Sequence, residues 1–305
     1  MRVLVTGASG LLGANLCLYL AGRHQVMAAS AHHPLVHQNV TPLLNDLRDR
    51  DHGFRLVHEA RPEAVIHCAA LTDVDRCERE PELARLLNYT ASRAIARASA
   101  ECGARLIHIS TDMVFDGSEP AKTESSPTRP LNTYGTTKLH AEGAVLEECP
   151  EALVVRTNIY GWNALPKLSL AEWALARLRS GQSTPGFSDV YFSPILVNDL
   201  AAELEKLLTS GLTGVVHVAG ADRVSKYEFV KMIARQSGAD VSLVRTVLLA
   251  EFGLPTPRPL DMSLDCSYAR QNGMCIPGVE DGLATFLSLE GAGYPERVKG
   301  LLGEG

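Results

Sequence analysis

The stretch Val3-Leu4-Val5-Thr6-Gly7-Ala8-Ser9-Gly10-Leu11-Leu12-Gly13 decides the fold. Residues 3–6 are typical of a buried strand, and residues 11–20 are apolar on most faces, as in a helix packed on a sheet. The glycines follow the spacing G-x-x-G-x-x-G, where Gly7 permits a positive φ, Gly10 a close approach of phosphate to backbone, and Gly13 close packing of helix on strand. A strand, a tight turn and a helix in this order predict a dinucleotide site that receives a pyrophosphate. The predicted cofactor contacts in this turn are Gly7, Ser9, Gly10, Leu11, Leu12 and Gly13.

Further apolar runs alternate with helical stretches over the first 160 residues. They lie at 25–29, 40–44, 64–68, 105–110 and 153–157, with helices predicted at 81–102 and 136–148. Because parallel neighbours need long crossovers, this alternation predicts an α/β fold with a doubly wound parallel sheet of the Rossmann type. After Tyr160 we expect a helix at 168–179 and a loop at 181–194, and then a strand at 214–218 that returns to the sheet.

This pattern predicts two units. Residues 1–160 plus 195–220 form the dinucleotide-binding domain, and residues 160–195 plus 220–305 form a smaller, discontinuous substrate-binding lobe.

The composition excludes several classes of function. The 305 residues are 46% hydrophobic and 21% charged, with 29 Lys and Arg against 35 Asp and Glu, giving a formal net charge of −6. This balance argues against a nucleic-acid or anionic-membrane partner, and no apolar run approaches the roughly 18 residues of a membrane span. With no signal-peptide pattern at the start, we expect a cytoplasmic protein. The seven cysteines lack a C-x-x-C pair, so neither disulfides nor a bound metal are predicted.

The end of the second strand bears on the choice between NAD and NADP. An acidic residue there would bind the ribose hydroxyls of NAD, but the sequence offers Ser30, His32 and His33. Ser30 and a protonated His32 or His33 suit the additional phosphate of NADP, so NADP is the predicted cofactor and NAD the alternative. The histidines could equally be exposed loop residues. Asp46 and Leu47 follow the third strand and are expected to meet the adenine, unless Asp46 only caps the next helix.

A phenol and an ammonium lie four residues apart in Tyr134-Gly135-Thr136-Thr137-Lys138, on one face of a predicted helix. Tyrosine transfers protons poorly at neutral pH unless a nearby cation stabilises its anion, which Lys138 is placed to do. Thr111, at the end of a strand, is the expected third member, with Ser110 as the fallback. Together with the glycine turn, this spacing predicts a dehydrogenase or reductase.

These motifs resemble the extended short-chain dehydrogenase/reductases and, within them, the dTDP-4-dehydrorhamnose reductase family. The resemblance covers nearly the whole chain and rests on the glycine turn, on 45–49 (NDLRD), 67–75 (HCAALTDVD), 109–117 (ISTDMVFDG), 134–138 (YGTTK) and 258–265 (RPLDMSLD). The string S-T-D-x-V-F-D-G narrows the match to this family.

The resemblance implies roles for particular residues. Thr111, Tyr134 and Lys138 would be catalytic, with Tyr134 the proton donor and with Tyr134 and Lys138 also contacting the cofactor. Cys68, Ala69 and Ala70 would line the cofactor, and Asn88 would support it. The substrate-binding residues would be Thr111, Asp112, Asn158 and Arg258. Arg258 is the expected partner of a diphosphate, although a surface arginine in a proline-rich loop is the alternative.

Three departures from the family pattern concern the substrate and the assembly. Met113 stands where the family usually has tyrosine, and the tryptophan expected after Arg156-Thr157 is missing, although Trp162 is close enough to replace it. The glutamate associated with a metal is absent from 14–17, so no magnesium-bridged dimer is expected; a homodimer is left open.

The predicted activity is NADPH-dependent reduction of a nucleotide-linked 4-keto-6-deoxysugar. The alternatives are an NADP-binding regulatory subunit resembling that of methionine adenosyltransferase and a sugar-nucleotide epimerase.

Overall fold

A computed structural model describes residues 1–302. The strands, in chain order, are β1 Arg2–Thr6, β2 Gln25–Ser30, β3 Val40–Leu44, β4 Ala64–His67, β5 Arg105–Thr111, β6 Leu153–Thr157, β7 Ile159–Tyr160, β8 Thr184–Phe187, β9 Tyr191–Phe192, β10 Ile195–Leu196, β11 Gly214–His217, β12 Val224–Ser225, β13 Val244–Val247 and β14 Asp261–Met262. The α-helices are α1 Leu11–Leu20, α2 His52–Ala60, α3 Val74–Arg79, α4 Pro81–Ala84, α5 Ala91–Cys102, α6 Thr133–Glu148, α7 Leu170–Arg179, α8 Val197–Leu207, α9 Lys226–Ser237, α10 Ser267–Gln271, α11 Val279–Gly291 and α12 Tyr294–Lys299.

Seven strands form one parallel sheet in the order β11-β6-β5-β4-β1-β2-β3. The chain starts in the middle with β1, builds outward to β3, and then crosses back to β4 and builds the other half. This order confirms the predicted doubly wound fold. In such folds ligands bind at the carboxyl ends of the strands where the direction of winding changes, which here lies between β1 and β4.

The central strands are buried on both faces, which explains their continuous apolar sequence. β4 and β6 are entirely buried and β1 is buried from Val3 to Thr6, with α1 and α8 packed against each other on one side of the sheet and α2, α5 and α6 on the other. This packing fixes the strand ends that position the site.

The structure differs from the sequence expectations in three places. Residues 31–39 join β2 to β3 without a helix, so the second crossover, unlike the first through α1, is a loop. The predicted helix 81–102 is continuous but contains a π-helical segment, Arg85–Thr90, between α4 and α5. The predicted loop 181–194 contains β8 and β9, whose short strands with Gly and Pro give no clear alternation.

Three small sheets, built mainly from segments after residue 180, lie outside the main one in the described chain. β8 pairs with β13, and β9 lies between β12 and β14. β10 pairs with β7 rather than with the main sheet, whereas β11 returns to the edge beside β6, as predicted. At the far end of the described chain α12 contacts α1, and Leu302 bridges to Leu35. The division into two lobes at the stated boundaries stays a prediction.

Within residues 1–302 no helix combines the length and the apolar character that crossing a membrane requires. All seven cysteines are free thiols.

Candidate active site

A cleft of about 950 Å³ opens at the carboxyl ends of the central strands. Its walls come from the glycine turn, from the ends of β2 to β6, from the start of α6 and from the loop before α7. The residues proposed from the sequence that line it are Gly7, Ser9, Gly10, Leu11, Leu12, Gly13, Ser30, His32, Asp46, Leu47, Cys68, Ala69, Ala70, Thr111, Asp112, Tyr134, Lys138 and Asn158. Asn88 and Arg258 are not among its lining residues.

The glycine turn is a backbone cradle with no room for a side chain at Gly7 or Gly13. Gly7 has φ of +65°, and a Cβ built on it would lie 2.7 Å from the backbone of Ala69. A Cβ on Gly13 would lie 2.2 Å from the carbonyl oxygen of Gly7, and one on Gly10 would lie 3.3 Å from the same atom. Glycine is therefore required where α1 meets β1, and the exposed backbone at the N-terminus of α1 fits a pyrophosphate.

A buried chain of hydrogen bonds supports the floor of this cradle. The Ala69 N–H donates to Thr6 Oγ1 at 3.3 Å, and Thr6 Oγ1 donates to His67 Nδ1 at 2.6 Å. Because the Ser92 hydroxyl donates to the Asn88 carbonyl at 2.6 Å, His67 Nε2 is the donor to Ser92 Oγ at 2.9 Å. Burial and the charge of Lys138 lower the pKa of His67 to about 3, so the ring is neutral.

Asn88 acts on the site from behind rather than as a cofactor contact. It is fully buried, accepts the Leu71 N–H at 2.7 Å, and donates to Thr137 Oγ1 at 3.0 Å and to the Leu71 carbonyl at 3.2 Å. These bonds tie the loop after β4 to α6. The π-helical segment carries Asn88 to this place, and the cofactor-binding role proposed for it has no support from its position.

The pair Tyr134 and Lys138 lies on the first turns of α6, which begins at an Asn132 cap that accepts the Gly135 N–H at 2.9 Å. Lys138 is 2% exposed, and its Nζ donates to the Ile109 carbonyl at 2.7 Å and to His108 Nε2 at 3.2 Å. Burial lowers the pKa of Lys138 to about 8, against the opposing charge of Glu142. The ammonium is thus held in place by β5.

Burial raises the pKa of the Tyr134 phenol above its usual range, although its hydrogen bond with Thr111 opposes the rise. The sequence argument expected Lys138 to lower this pKa, but its ammonium is directed to Ile109 and His108. The raised pKa keeps the phenol protonated at neutral pH but also makes it a weaker acid, so proton transfer from Tyr134 needs a group that stabilises the tyrosinate.

Thr111 is bound into a small polar group at the end of β5. Its hydroxyl donates to Asp112 Oδ1 at 3.0 Å and accepts the Met113 N–H at 3.2 Å. Asn158 Nδ2 donates to Asp112 Oδ2. Burial raises the pKa of Asp112 to about 6, against the hydrogen bonds from Asn158 and Thr111 and the positive charge of Lys226. All three proposed residues of this group face the cleft.

Ser110, the fallback to Thr111, has a structural role. Its hydroxyl donates to Glu142 Oε1 at 2.5 Å, and Glu142 forms a buried ion pair with Arg156 at 2.6 Å. Both charged side chains are about 5% exposed or less. This cluster fixes α6 to β5 and β6 beneath the catalytic residues.

Three further residues make contacts in the structure that differ from those expected from the sequence. Arg258 pairs with Asp75 at 2.9 Å, so its proposed diphosphate role has no support from the cleft. Trp162 stacks on Phe286 at 4.2 Å in the core and does not replace the missing tryptophan. The Ser30 hydroxyl donates to the His33 carbonyl at 2.7 Å and is not free to donate to a phosphate.

Asp46 does not cap α2, since that position belongs to Asp51. Its carboxylate instead accepts the backbone N–H and the side chain of Arg48.

Sequence reasoning missed three cations that line the cleft: Arg48, Arg76 and Lys167. Arg48 stands two residues after Asp46, so its place beside the third strand was a usable signal. Arg76 and Lys167 lie on a helix and a loop whose orientation the sequence does not reveal. Among residues 1–302 no group of three or more His, Cys, Asp or Glu side chains is arranged to hold a metal ion.

A family model described as the RmlD substrate binding domain matches residues 1–290. The chain belongs to this family. This RmlD-family chain is 36% identical over 264 residues to the dTDP-4-dehydrorhamnose reductase of Mycobacterium tuberculosis, a match that covers 84% of the chain and 82% of that protein. It is 32% identical over 295 residues to methionine adenosyltransferase 2 subunit beta of Xenopus laevis, covering 90% of the chain and 83% of that protein.

Among solved structures, the dTDP-4-dehydrorhamnose reductase of Bacillus anthracis in complex with NADP superposes with a TM-score of 0.84 at 31% identity. The match covers 94% of this RmlD-family chain and 98% of that structure's chain. The resemblance to the dTDP-4-dehydrorhamnose reductase family that the sequence motifs indicate is confirmed.

Proposed function

We propose that this protein is a reductase that uses NADPH to reduce the 4-keto group of a nucleotide-linked 4-keto-6-deoxysugar. One observation carries the proposal: the glycine cradle and the group of Thr111, Tyr134 and Lys138 face the same cleft. The names of the M. tuberculosis and B. anthracis relatives support a dTDP-linked sugar as the substrate.

The residues present fit a dinucleotide. The cradle would hold the pyrophosphate, the ends of β2 and β3 would hold the adenosine half, and Lys138 would hold the nicotinamide ribose. NADP is the preferred form, supported by the NADP-bound relative and by the lack of an acid at the end of β2. When bound in reduced form, the cofactor supplies a hydride.

The proton side of the reaction belongs to the protein. Tyr134 holds its proton at neutral pH and is placed to transfer it to the oxygen at C4 of the sugar as negative charge develops there. Thr111 lies beside the same oxygen; its one hydroxyl proton is donated to Asp112 in the structure, so it must turn away from Asp112 to donate to the forming alkoxide. Lys138 lies one helical turn from Tyr134, and its positive charge would favour the tyrosinate left after proton transfer once the ammonium leaves the Ile109 carbonyl and His108.

The substrate side uses Thr111, Asp112 and Asn158 for the sugar, since these side chains line the cleft and bond to one another. Lys167, on the exposed loop before α7, is the cation proposed for the diphosphate in place of Arg258.

The test is a panel of dTDP-, UDP- and GDP-linked 4-keto-6-deoxysugars incubated with protein and NADPH, followed by the loss of NADPH absorbance. We expect reduction of at least one member, with Tyr134→Phe inactive under the same conditions. Reduction by the phenylalanine variant at the wild-type rate would assign the proton to another group.

A second candidate is a regulatory subunit, favoured by the 32% identity to methionine adenosyltransferase 2 subunit beta. If no member of the panel is reduced while NADPH still binds, and the protein alters the activity of a purified methionine adenosyltransferase, this candidate replaces the reductase.

A further inference from the structure

The adenosine end of the cleft contains a cluster of charged side chains that the sequence did not assign. Arg48 and Arg76 line the cleft together with His32 and with the carboxylates Asp46 and Glu80. Arg48 lies after β3, His32 after β2, and Arg76 on α3. Since β2 and β3 are parallel neighbours, their carboxyl ends meet at one edge of the sheet, where doubly wound folds hold the adenosine ribose.

Each arginine is held on one side by a carboxylate. Arg48 donates from Nε to Asp46 Oδ2 at 2.7 Å and Oδ1 at 3.0 Å, and also contacts it through Nη2. Arg76 donates from Nε to Glu80 Oε1 at 2.9 Å and from Nη2 to Oε2 at 3.2 Å. These bonds orient both guanidiniums and leave the Nη1 edge of each to other acceptors. The side chain of Arg48 is 56% exposed and that of Arg76 46%, so both are open to a ligand.

The charged side chains of the cluster are close enough to shift one another's pKa values. The Asp46 carboxyl has a lowered pKa, chiefly through its hydrogen bond with Arg48 and in small part through the charge of His32. The Glu80 hydrogen bond raises the pKa of Arg76, and the positive charge of Arg48 opposes that rise. Two guanidiniums and an imidazole therefore converge on one corner, opposed by two carboxylates that already have partners.

We propose that Arg48 and Arg76 bind the 2′-phosphate of NADP, and that the Asp46–Arg48 ion pair sets the preference between NADP and NAD. This inference rests on the proposed function only in assuming that a nicotinamide dinucleotide enters the cleft. A phosphate monoester carries between about −1.5 and −2 charges at neutral pH and presents three acceptor oxygens, which the planar fork of a guanidinium matches.

Without the phosphate the same pair serves NAD. A free ribose 2′-hydroxyl is a donor, and we assign the Asp46 carboxylate as its acceptor, because Asp46 lines the cleft at the end of β3, the strand next to β2, in addition to meeting the adenine. With the phosphate present, Arg48 binds the phosphate oxygens while keeping its ion pair with Asp46, and Arg76 supplies a second positive charge. Ser30, the sequence candidate for this role, has its hydroxyl engaged by the His33 carbonyl.

The experiment measures dissociation constants of NADPH, NADH and 2′,5′-ADP by fluorescence titration or calorimetry, with no sugar nucleotide present. The variants are Arg48→Gln, Arg76→Gln and Asp46→Asn. The matched control is Arg55→Gln, because Arg55 is equally exposed and pairs with Asp49 at 3.1 Å near the same loop but does not line the cleft.

We expect Arg48→Gln to weaken NADPH and 2′,5′-ADP at least tenfold while NADH stays within about twofold. Arg76→Gln should weaken the binding of NADPH and 2′,5′-ADP severalfold and leave NADH binding within about twofold. Asp46→Asn should weaken the binding of NADH but not of NADPH, and Arg55→Gln should change none of the three affinities. Since the replaced side chains are exposed, thermal melting should stay at the wild-type temperature.

A loss of NADPH and NADH affinity by the same factor in Arg48→Gln would show that the guanidinium contacts the shared part of the cofactor, and would overturn the proposal. So would unchanged NADPH binding. Failure of the proposed function is distinguishable: a protein that discriminates NADPH through Arg48 but reduces no sugar nucleotide keeps this inference and loses the reductase.

Discussion

Replacing Gly13 by alanine tests the cradle, because helix propensity predicts a gain in the free energy of unfolding at this position and packing predicts a loss. In an unobstructed helix, glycine to alanine is expected to stabilise by about 1 kcal/mol. At Gly13 the new Cβ would lie 2.2 Å from the carbonyl oxygen of Gly7 and 2.7 Å from Cα of Ala8, both backbone atoms that cannot rotate away. Relieving such an overlap costs about 1 to 3 kcal/mol and moves the turn that receives the pyrophosphate.

We therefore expect Gly13→Ala to lower the free energy of unfolding and to weaken NADPH binding at least tenfold, which corresponds to about 1.4 kcal/mol. Gly143→Ala is the matched control, since Gly143 is an exposed residue within α6 and an added Cβ meets no atom within 4 Å. That variant should be as stable as the wild type or more so, with unchanged affinity. Urea unfolding and fluorescence titration measure both quantities. Equal stability and NADPH affinity in the two variants would refute the reasoning.

The other predictions concern the catalytic residues and their support. Tyr134→Phe should reduce turnover by at least a hundredfold while NADPH affinity stays within a few fold, because it removes the proton and keeps the ring; steady-state rates and titrations measure this. Wild-type turnover should fall above about pH 8, where the buried Lys138 ammonium loses its proton. Because the negative charge of Glu142 raises the pKa of Lys138, Glu142→Gln should move this fall in turnover to lower pH. The same variant should cost about 3 to 5 kcal/mol in urea unfolding by leaving Arg156 buried without a counter-charge, whereas Arg179→Gln, at an exposed pair, should cost at most about 1 kcal/mol.

The parts of the fold and site that rest on local sequence were predictable. β1, the glycine turn and α1 are contiguous, so the cradle follows from the spacing of Gly7, Gly10 and Gly13. Tyr134 and Lys138 are likewise one helical turn apart, and their shared face needs only the helix. The parallel sheet follows from the alternation of buried strands and helices, because strands buried on both faces need covering helices.

The expected roles that the structure does not support concern residues that bind partners distant in sequence or that form other hydrogen bonds locally. Arg258 is paired with Asp75, 183 positions away, and no pattern near either residue indicates that contact. Trp162, in the loop after β7, stacks on Phe286 of α11, 124 positions away. The Ser30 hydroxyl is taken by a carbonyl three residues on, and a Ser-x-x-His segment alone does not reveal this turn. The directions of the Arg76 side chain on α3 and of the Lys167 side chain on a loop, which place both in the cleft, likewise require the folded structure.

Transfer of deuterium tests the central claim most directly. NADPH labelled with deuterium at C4 of the nicotinamide, in each of its two stereochemical forms, is incubated with the protein and dTDP-4-keto-6-deoxysugar, and the product is examined by NMR. We predict that one of the two forms delivers deuterium to C4 of the sugar and that Tyr134→Phe yields no labelled product. A sugar recovered unreduced and unlabelled from protein saturated with NADPH would contradict the account.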